Sequence, residues 1–204
     1  MGKMSVVFDF DGVIGDSLPV LVNIANSQFG KYLHEPLSVD LIRVKGVRKF
    51  FQEYRMSGFR LVLWIWKARR MLANEHVKMI SGMGRLLQQL SERGLDLQLV
   101  SSGGKGYIAR TLEREGLSHL FSSIHTNIGL FKKAKHLKRL SGNKKDYVYV
   151  GDEVRDIEAA HKAGVTCIST SWGYESKTIL KEAKPDYLVD TPEELLKTIE
   201  RLMV

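Results

Sequence analysis

The amino-acid sequence predicts an α/β fold: a parallel sheet covered by helices on both faces, with an all-helical stretch inserted after the first strand. Three observations carry this expectation. Short, almost wholly apolar runs alternate with helix-length segments, the pattern of strands buried on both sides. The 204-residue chain is 44% hydrophobic, ample for a packed core and inconsistent with a disordered chain. Residues 17–80 break the rhythm: they show no strong strand signal, and they hold eleven Lys and Arg against Glu35, Asp40, Glu53 and Glu75.

The elements follow in order. Ser5–Phe8 is a short apolar strand. Helices are expected over Leu18–Tyr32, over Val39–Tyr54 with an interruption at Gly46, and over Phe59–Glu75. Beyond them come a strand at Leu95–Val100, a helix at Lys105–Glu115, a weaker strand at Ile124–Thr126 and a helix at Lys133–Leu140. Tyr147–Val150 reads as a buried strand and Val154–Ala163 as a helix stopped by Gly164 in a left-handed conformation. Thr166–Thr170 and Tyr187–Val189 are strands, and Thr191-Pro192-Glu193-Glu194 opens the last helix as a capping box with Pro at its first position.

Composition excludes several classes of function. The single cysteine, Cys167, rules out an internal disulfide framework and a Cys-cluster metal site. The most apolar run, Leu61–Trp66, is far shorter than the ~20 residues of a membrane span. The amino terminus lacks a signal-peptide cleavage pattern, so a soluble, cytoplasmic protein without a membrane partner is expected. The net charge of +8 raises nucleic acid as a partner, but the excess is concentrated in residues 17–80, where it equally serves to steer anionic metabolites. Nucleic acid is not the expected partner.

The chemistry gathers at predicted strand ends, where parallel α/β sheets bind ligands. Asp9 and Asp11 end the first strand, and Gly12 lets backbone approach a ligand closely. Asp152, Glu153 and Asp156 follow the Tyr147–Val150 strand and can complete an oxygen-rich site. Hard oxygen ligands without His or Cys favour Mg²⁺. Asp156 also suits a plain first-turn helix charge, and Asp16 or Ser17 a helix cap. Ser101-Ser102-Gly103-Gly104 supplies hydroxyls and amides before a helix, an anion-binding arrangement that lacks P-loop spacing. One of Lys132, Lys133 and Lys135, at a helix start, can reach the acidic site.

These stations, in this order, resemble the haloacid dehalogenase-like hydrolase superfamily, and within it the phosphoglycolate-phosphatase-like branch. The match rests on Asp9-Phe10-Asp11-Gly12 with Asp16-Ser17, on Ser101 at a strand end, and on Gly151-Asp152-Glu153-Val154-Arg155-Asp156-Ile157-Glu158-Ala159-Ala160. The resemblance selects Lys133 from the three lysines. Where the family often has Ser-Asn, this chain has Ser101-Ser102. It implies a Rossmann-like core from residues 1–16 and 81–204, with residues 17–80 as a small, mobile helical cap. It also implies a Mg²⁺-dependent phosphatase for a small phosphate ester, phosphoglycolate by branch name. Asp9 would be the nucleophile and Asp11 the acid and base. Gly12, Ser101, Ser102 and Lys133 would bind phosphate; Asp9, Asp152 and the main-chain carbonyl of Asp11 would bind the metal.

Asp11 argues against a dehalogenase, which needs no proton donor for an ester leaving group. A phosphomutase keeps both aspartates and stays open, as does a catalytically silent binding protein on the same scaffold. Arg43, Lys45, Arg48 and Lys49 flank Gly46 and can either bind a second anionic substrate group or form ordinary surface. Trp64 and Trp66, two residues apart, cannot share a helix face. The six histidines show no spacing tied to the acidic site. Oligomeric state is not legible.

Overall fold

The computed structural model describes residues 3–30, 35–46, 67–68, 70–129, 132–142 and 146–203. The expected positions of Trp64, Trp66, Arg48 and Lys49, and most of the Phe59–Glu75 helix, lie outside them. Strand β1 (Ser5–Phe8) is buried along its whole length. After it come β2 (Gly15–Asp16), α1 (Leu18–Phe29), α2 (Val39–Lys45), β3 (Lys78–Met79), α3 (Met83–Glu92), β4 (Asp96–Val100) and α4 (Lys105–Arg114). Next are β5 (Phe121–His125), α5 (Lys133–Ser141), β6 (Tyr147–Gly151), α6 (Val154–Ala163), β7 (Thr166–Thr170), α7 (Lys177–Glu182), β8 (Tyr187–Val189) and α8 (Pro192–Leu202).

Six strands form one parallel sheet in the order β5-β4-β1-β6-β7-β8. The chain builds outward from β1 through β4 and β5, then returns to the other side of β1 for β6, β7 and β8. The crevice beyond the carboxyl ends of β1, β4 and β6 is therefore a topological switch point. Phe8 lies opposite both Leu99 of β4 and Val150 of β6, so the three strands deliver their next residues side by side.

Helices cover both faces of this sheet. On one face, Met83, Leu86, Leu87 and Leu90 of α3 recur at helical spacing and pack with Val6, Phe8, Leu97 and Leu195. On the other, Leu137 of α5 and Ile157 and Ala160 of α6 pack with Val7, Tyr149 and the fully buried Cys167. A separate apolar cluster joins Leu18, Val22, Ala25, Leu37 and Ile42 of the helical insertion to Tyr174 of the core.

Several expectations meet the structure residue for residue: β1, α6 with its left-handed Gly164, β7 and β8. Others shift. Helix α1 is described as far as Phe29, with the expected end at Tyr32 outside the described residues, and β5 begins at Phe121, upstream of the expected Ile124–Thr126. Strand β5 is an edge strand of alternating burial and carries two serines, which leaves its apolar signal weak. The sequence shows no strand inside 17–80, yet Lys78–Met79 pairs antiparallel with Gly15–Asp16. Two-residue strands are too short to display a period. At α8, Thr191 accepts from the Glu194 amide at 3.2 Å, while the Glu194 carboxylate reaches the Asp190 amide rather than closing the box on Thr191. Among the described residues, no helix is long and apolar enough to cross a membrane.

Candidate active site

The site assembles where β1, β4 and β6 end. The Asp9 amide donates to the Val150 carbonyl at 2.9 Å, which carries sheet pairing one residue past β1 and sets this nearly buried carboxylate against β6. One carboxylate oxygen of Asp9 accepts from the Phe10 amide at 2.7 Å and the other from Lys133 Nζ at 2.6 Å. Lys133, at the start of α5, also donates to Asp156 Oδ1 at 2.7 Å. It is only 3% exposed, whereas Lys132 and Lys135 are exposed. Burial works against its charge, but the Asp156 and Asp9 carboxylates hold the ammonium well above its usual range.

Asp156 has a fuller role than a first-turn charge. Its Oδ1 accepts from Lys133 and from Tyr149 OH at 3.1 Å, and its Oδ2 from the amides of Asp152 and Glu153 at 3.3 and 3.2 Å. Burial opposes its ionisation, yet Lys133 and Arg155 keep its carboxyl below the usual range. Asp156 thus fixes Lys133 and the turn that carries Asp152.

Asp11 is held differently. Its two oxygens accept from Ser17 and Tyr107, each at 2.6 Å, and Ser17 is in turn 2.8 Å from Tyr174 OH. The single Ser17 proton is used on Asp11, so Tyr174 donates to Ser17. Ser17 does precede α1, but its hydroxyl makes no helix cap. Burial and the neighbouring Asp9 raise the proton affinity of Asp11, against the opposing hydrogen bonds from Ser17 and Tyr107. Sequence reading missed Tyr107 and Tyr174. The signals present were a Tyr on the buried face of α4 and the Trp172-Gly173-Tyr174 run after β7.

Gly12 lies at φ +74°, and a Cβ there would stand 1.9 Å from Asp152 Oδ2. Its amide donates to the Gly15 carbonyl at 2.9 Å. What approaches Gly12 closely is therefore the Asp152 side chain. Ser101 is fully buried one residue past β4, with its Oγ accepting from the Gly103 amide at 2.9 Å, and Ser102 is buried in the turn that follows.

Carboxylate oxygens of Asp9, Asp152 and Asp156 lie within 4.8 Å of one another. Four aspartates meet here, with Lys133 and Arg155 as the cations placed near them among the described residues. Asp152 is the most isolated. Its Oδ2 accepts from the Tyr174 amide at 2.7 Å, while its buried Oδ1 has no partner among the described residues. Burial, together with Glu153, Asp156 and Asp9, lifts its proton affinity well above the carboxylate range. A buried acceptor without a donor is costly. A hard divalent cation fits this all-oxygen donor set.

Fold and motifs together define a class, and the chain belongs to it. Residues 6–170 match the haloacid dehalogenase-like hydrolase family. Within that superfamily the chain falls in the phosphoglycolate-phosphatase-like branch and is a phosphatase with an aspartate-based catalytic motif. It is 31% identical over 208 residues to the phosphoglycolate phosphatase of Synechococcus elongatus, covering 98% of both chains. It is 20% identical to the pyrophosphatase PpaX of Oceanobacillus iheyensis, again over 98% of each. The fold is shared with a Clostridium acetobutylicum protein described as a predicted phosphatase, with a TM-score of 0.83, 21% identity and coverage of 98% and 100% of the two chains.

Proposed function

We propose that this chain is a Mg²⁺-dependent phosphatase of small phosphorylated metabolites that works through an aspartyl-phosphate on Asp9. The observation that carries the proposal is that carboxylate oxygens of the buried Asp9 and Asp152 lie within 4.8 Å of each other, with an acceptor on Asp152 left unpartnered among the described residues. Asp9 attacks phosphorus, and its orientation is held by the Phe10 amide and Lys133. As the bond from phosphorus to the ester oxygen breaks, Asp11 gives its proton to the departing alcohol. Asp11 then takes a proton from the water that attacks the aspartyl-phosphate, releasing inorganic phosphate and free Asp9. The raised proton affinity of Asp11 suits the first of these steps.

Ser101, Ser102 and Lys133 are the proposed phosphoryl-oxygen donors. Gly12 enters the proposal as the residue whose missing side chain keeps Asp152 against the first loop. Asp9, Asp152 and the Asp11 main-chain carbonyl would hold Mg²⁺. When bound, the ion supplies charge neutralisation between nucleophile and phosphate and polarises the phosphoryl oxygens. Residues 17–80 are proposed as a mobile cap on a core of 1–16 and 81–204, a division supported by the β2–β3 pairing and the separate apolar cluster. The proposed setting is the cytoplasm, with a small phosphate ester as partner.

The test is phosphate release from a panel of phosphoglycolate, pyrophosphate, sugar phosphates and nucleoside monophosphates, with and without Mg²⁺. The first two lead because relatives carry those names. Asp9→Asn is expected to abolish turnover, and turnover surviving it removes the covalent route. Asp11→Asn is expected to slow an alkyl phosphate on the order of 10²–10⁴-fold.

A further inference from the structure

Segment 172–174 touches Asp152 directly, reaches Asp11 through Ser17, and is gripped by the helical insertion. On its core side, the Tyr174 amide donates to Asp152 Oδ2 at 2.7 Å, and Trp172 Nε1 donates to the Val13 carbonyl of the first-motif loop at 3.3 Å. Gly173 is pressed so closely on Asp152 that a Cβ would lie 2.2 Å from Oδ2. The Tyr174 hydroxyl reaches Asp11 through Ser17.

On its other side the same segment belongs to the insertion. Arg43 of α2 donates from Nε to the Gly173 carbonyl at 2.8 Å and from a terminal nitrogen to the Trp172 carbonyl at 2.7 Å. The Arg43 carbonyl accepts from the Ser176 amide at 3.0 Å. Tyr174 is buried among Leu18, Val22, Ala25, Leu37 and Ile42. Arg43 was one of the cations the sequence offered for a second anionic substrate group, but its guanidinium is occupied by protein carbonyls.

From this geometry we infer that Arg43 is a positioning residue through which the seating of the insertion sets the orientation of Asp152 and Asp11. The inference rests on the reading of those two carboxylates given above. The guanidinium is a planar fork that holds two successive carbonyls at once, a geometry a lysine ammonium does not present. Holding those carbonyls fixes the peptide that carries the Tyr174 amide, and that amide orients Asp152 Oδ2. Displacing α2 releases the amide from Asp152 and the hydroxyl from Ser17 together. Metal affinity and proton donation to the leaving group then fall together, although α2 touches neither carboxylate.

The experiment compares native protein with Arg43→Gln, Arg43→Lys and Tyr174→Phe. It uses calorimetric Mg²⁺ binding without substrate, the ratio of alkyl phosphate to p-nitrophenyl phosphate turnover, and thermal unfolding to establish that each variant is folded. p-Nitrophenolate leaves without help from an acid, so the ratio reports Asp11. Arg43→Gln is expected to lose Mg²⁺ affinity on the order of 10-fold, as outer partners of metal ligands do, and to lower the ratio. Arg43→Lys is expected to behave alike, because charge without the fork does not restore the contact. Tyr174→Phe keeps its amide, so its Mg²⁺ affinity is expected to stay native while the ratio falls. Native Mg²⁺ affinity and ratio in folded Arg43→Gln, or full rescue by Arg43→Lys, overturns the inference. Asp152→Asn separates the two layers: Mg²⁺ binding that survives it removes the reading of the site, and the coupling with it.

Discussion

Lys133 keeps an ammonium at 3% exposure, compensated by Asp9 and Asp156. Removing one partner of such a buried set leaves uncompensated charge. Lys133→Met is therefore expected to destabilise the metal-free protein by about 3–5 kcal/mol, read from the midpoint of denaturant unfolding. Truncating the exposed Lys132 should change the unfolding free energy by less than about 0.5 kcal/mol. This contrast is also where residue-level legibility stopped. Three neighbouring lysines are equivalent as letters, and resemblance picked the one that the fold buries. Asp9, Asp11 and Asp152 announced themselves because carboxylates in pairs at strand ends need a reason. Tyr107 and Tyr174 did not, since their partners lie 96 and 157 residues away.

At the scale of elements, Asp96 fastens the start of three strands. It opens β4 and accepts from Ser5 of β1, from Ser122 of β5 and from Gln98. Partial burial pushes its carboxyl up, but the hydrogen bonds from Ser122, Gln98 and Ser5, with Lys3 nearby, hold it below the usual range. A depressed folded pKa means the added stability is present above the unfolded value of about 3.9 and is lost as pH falls through the folded value. Asp96→Asn is expected to lower the thermal midpoint at neutral pH and to shrink its fall below about pH 4. An unchanged acid limb in the variant would assign that limb to other carboxylates. Elements whose burial is continuous, such as β1 and β6, were plain in the sequence. Helix α3 is absent from the sequence expectations although Met83, Leu86, Leu87 and Leu90 recur at helical spacing. Strand β5, half exposed at an edge, has a weak apolar signal, so the expected strand at Ile124–Thr126 overlaps only its end.

For the whole molecule, the +8 charge is distributed unevenly along the sequence. Acidic side chains crowd the crevice, while the excess of Lys and Arg lies in residues 17–80. A basic surface near a cleft raises the encounter rate of an anionic substrate, and salt screens that effect over a Debye length of about 10 Å at 0.1 M. Raising ionic strength is expected to lower kcat/KM while leaving kcat nearly unchanged, as steady-state kinetics over a salt series would show. Equal losses in both would place the charge effect inside the chemical step instead. The fold class, the inserted region and the aspartate-based chemistry were readable because periodicity and spacing are local properties of the chain. The wiring between insertion and core was not, since it is made of hydrogen bonds between distant residues.

The short β2–β3 ribbon bears on how this chain can diverge. Gly15 and Asp16 lie beside Met79 and Lys78, and the Ile80 amide returns to the Ile14 carbonyl at 2.8 Å. Departure and re-entry of the excursion are thereby stitched together like the two edges of a seam. Lengthening, trimming or recharging what lies between them leaves the first strand in register, so selection for a new substrate can act on the parts of the excursion that leave the Arg43 contacts to Trp172 and Gly173 in place.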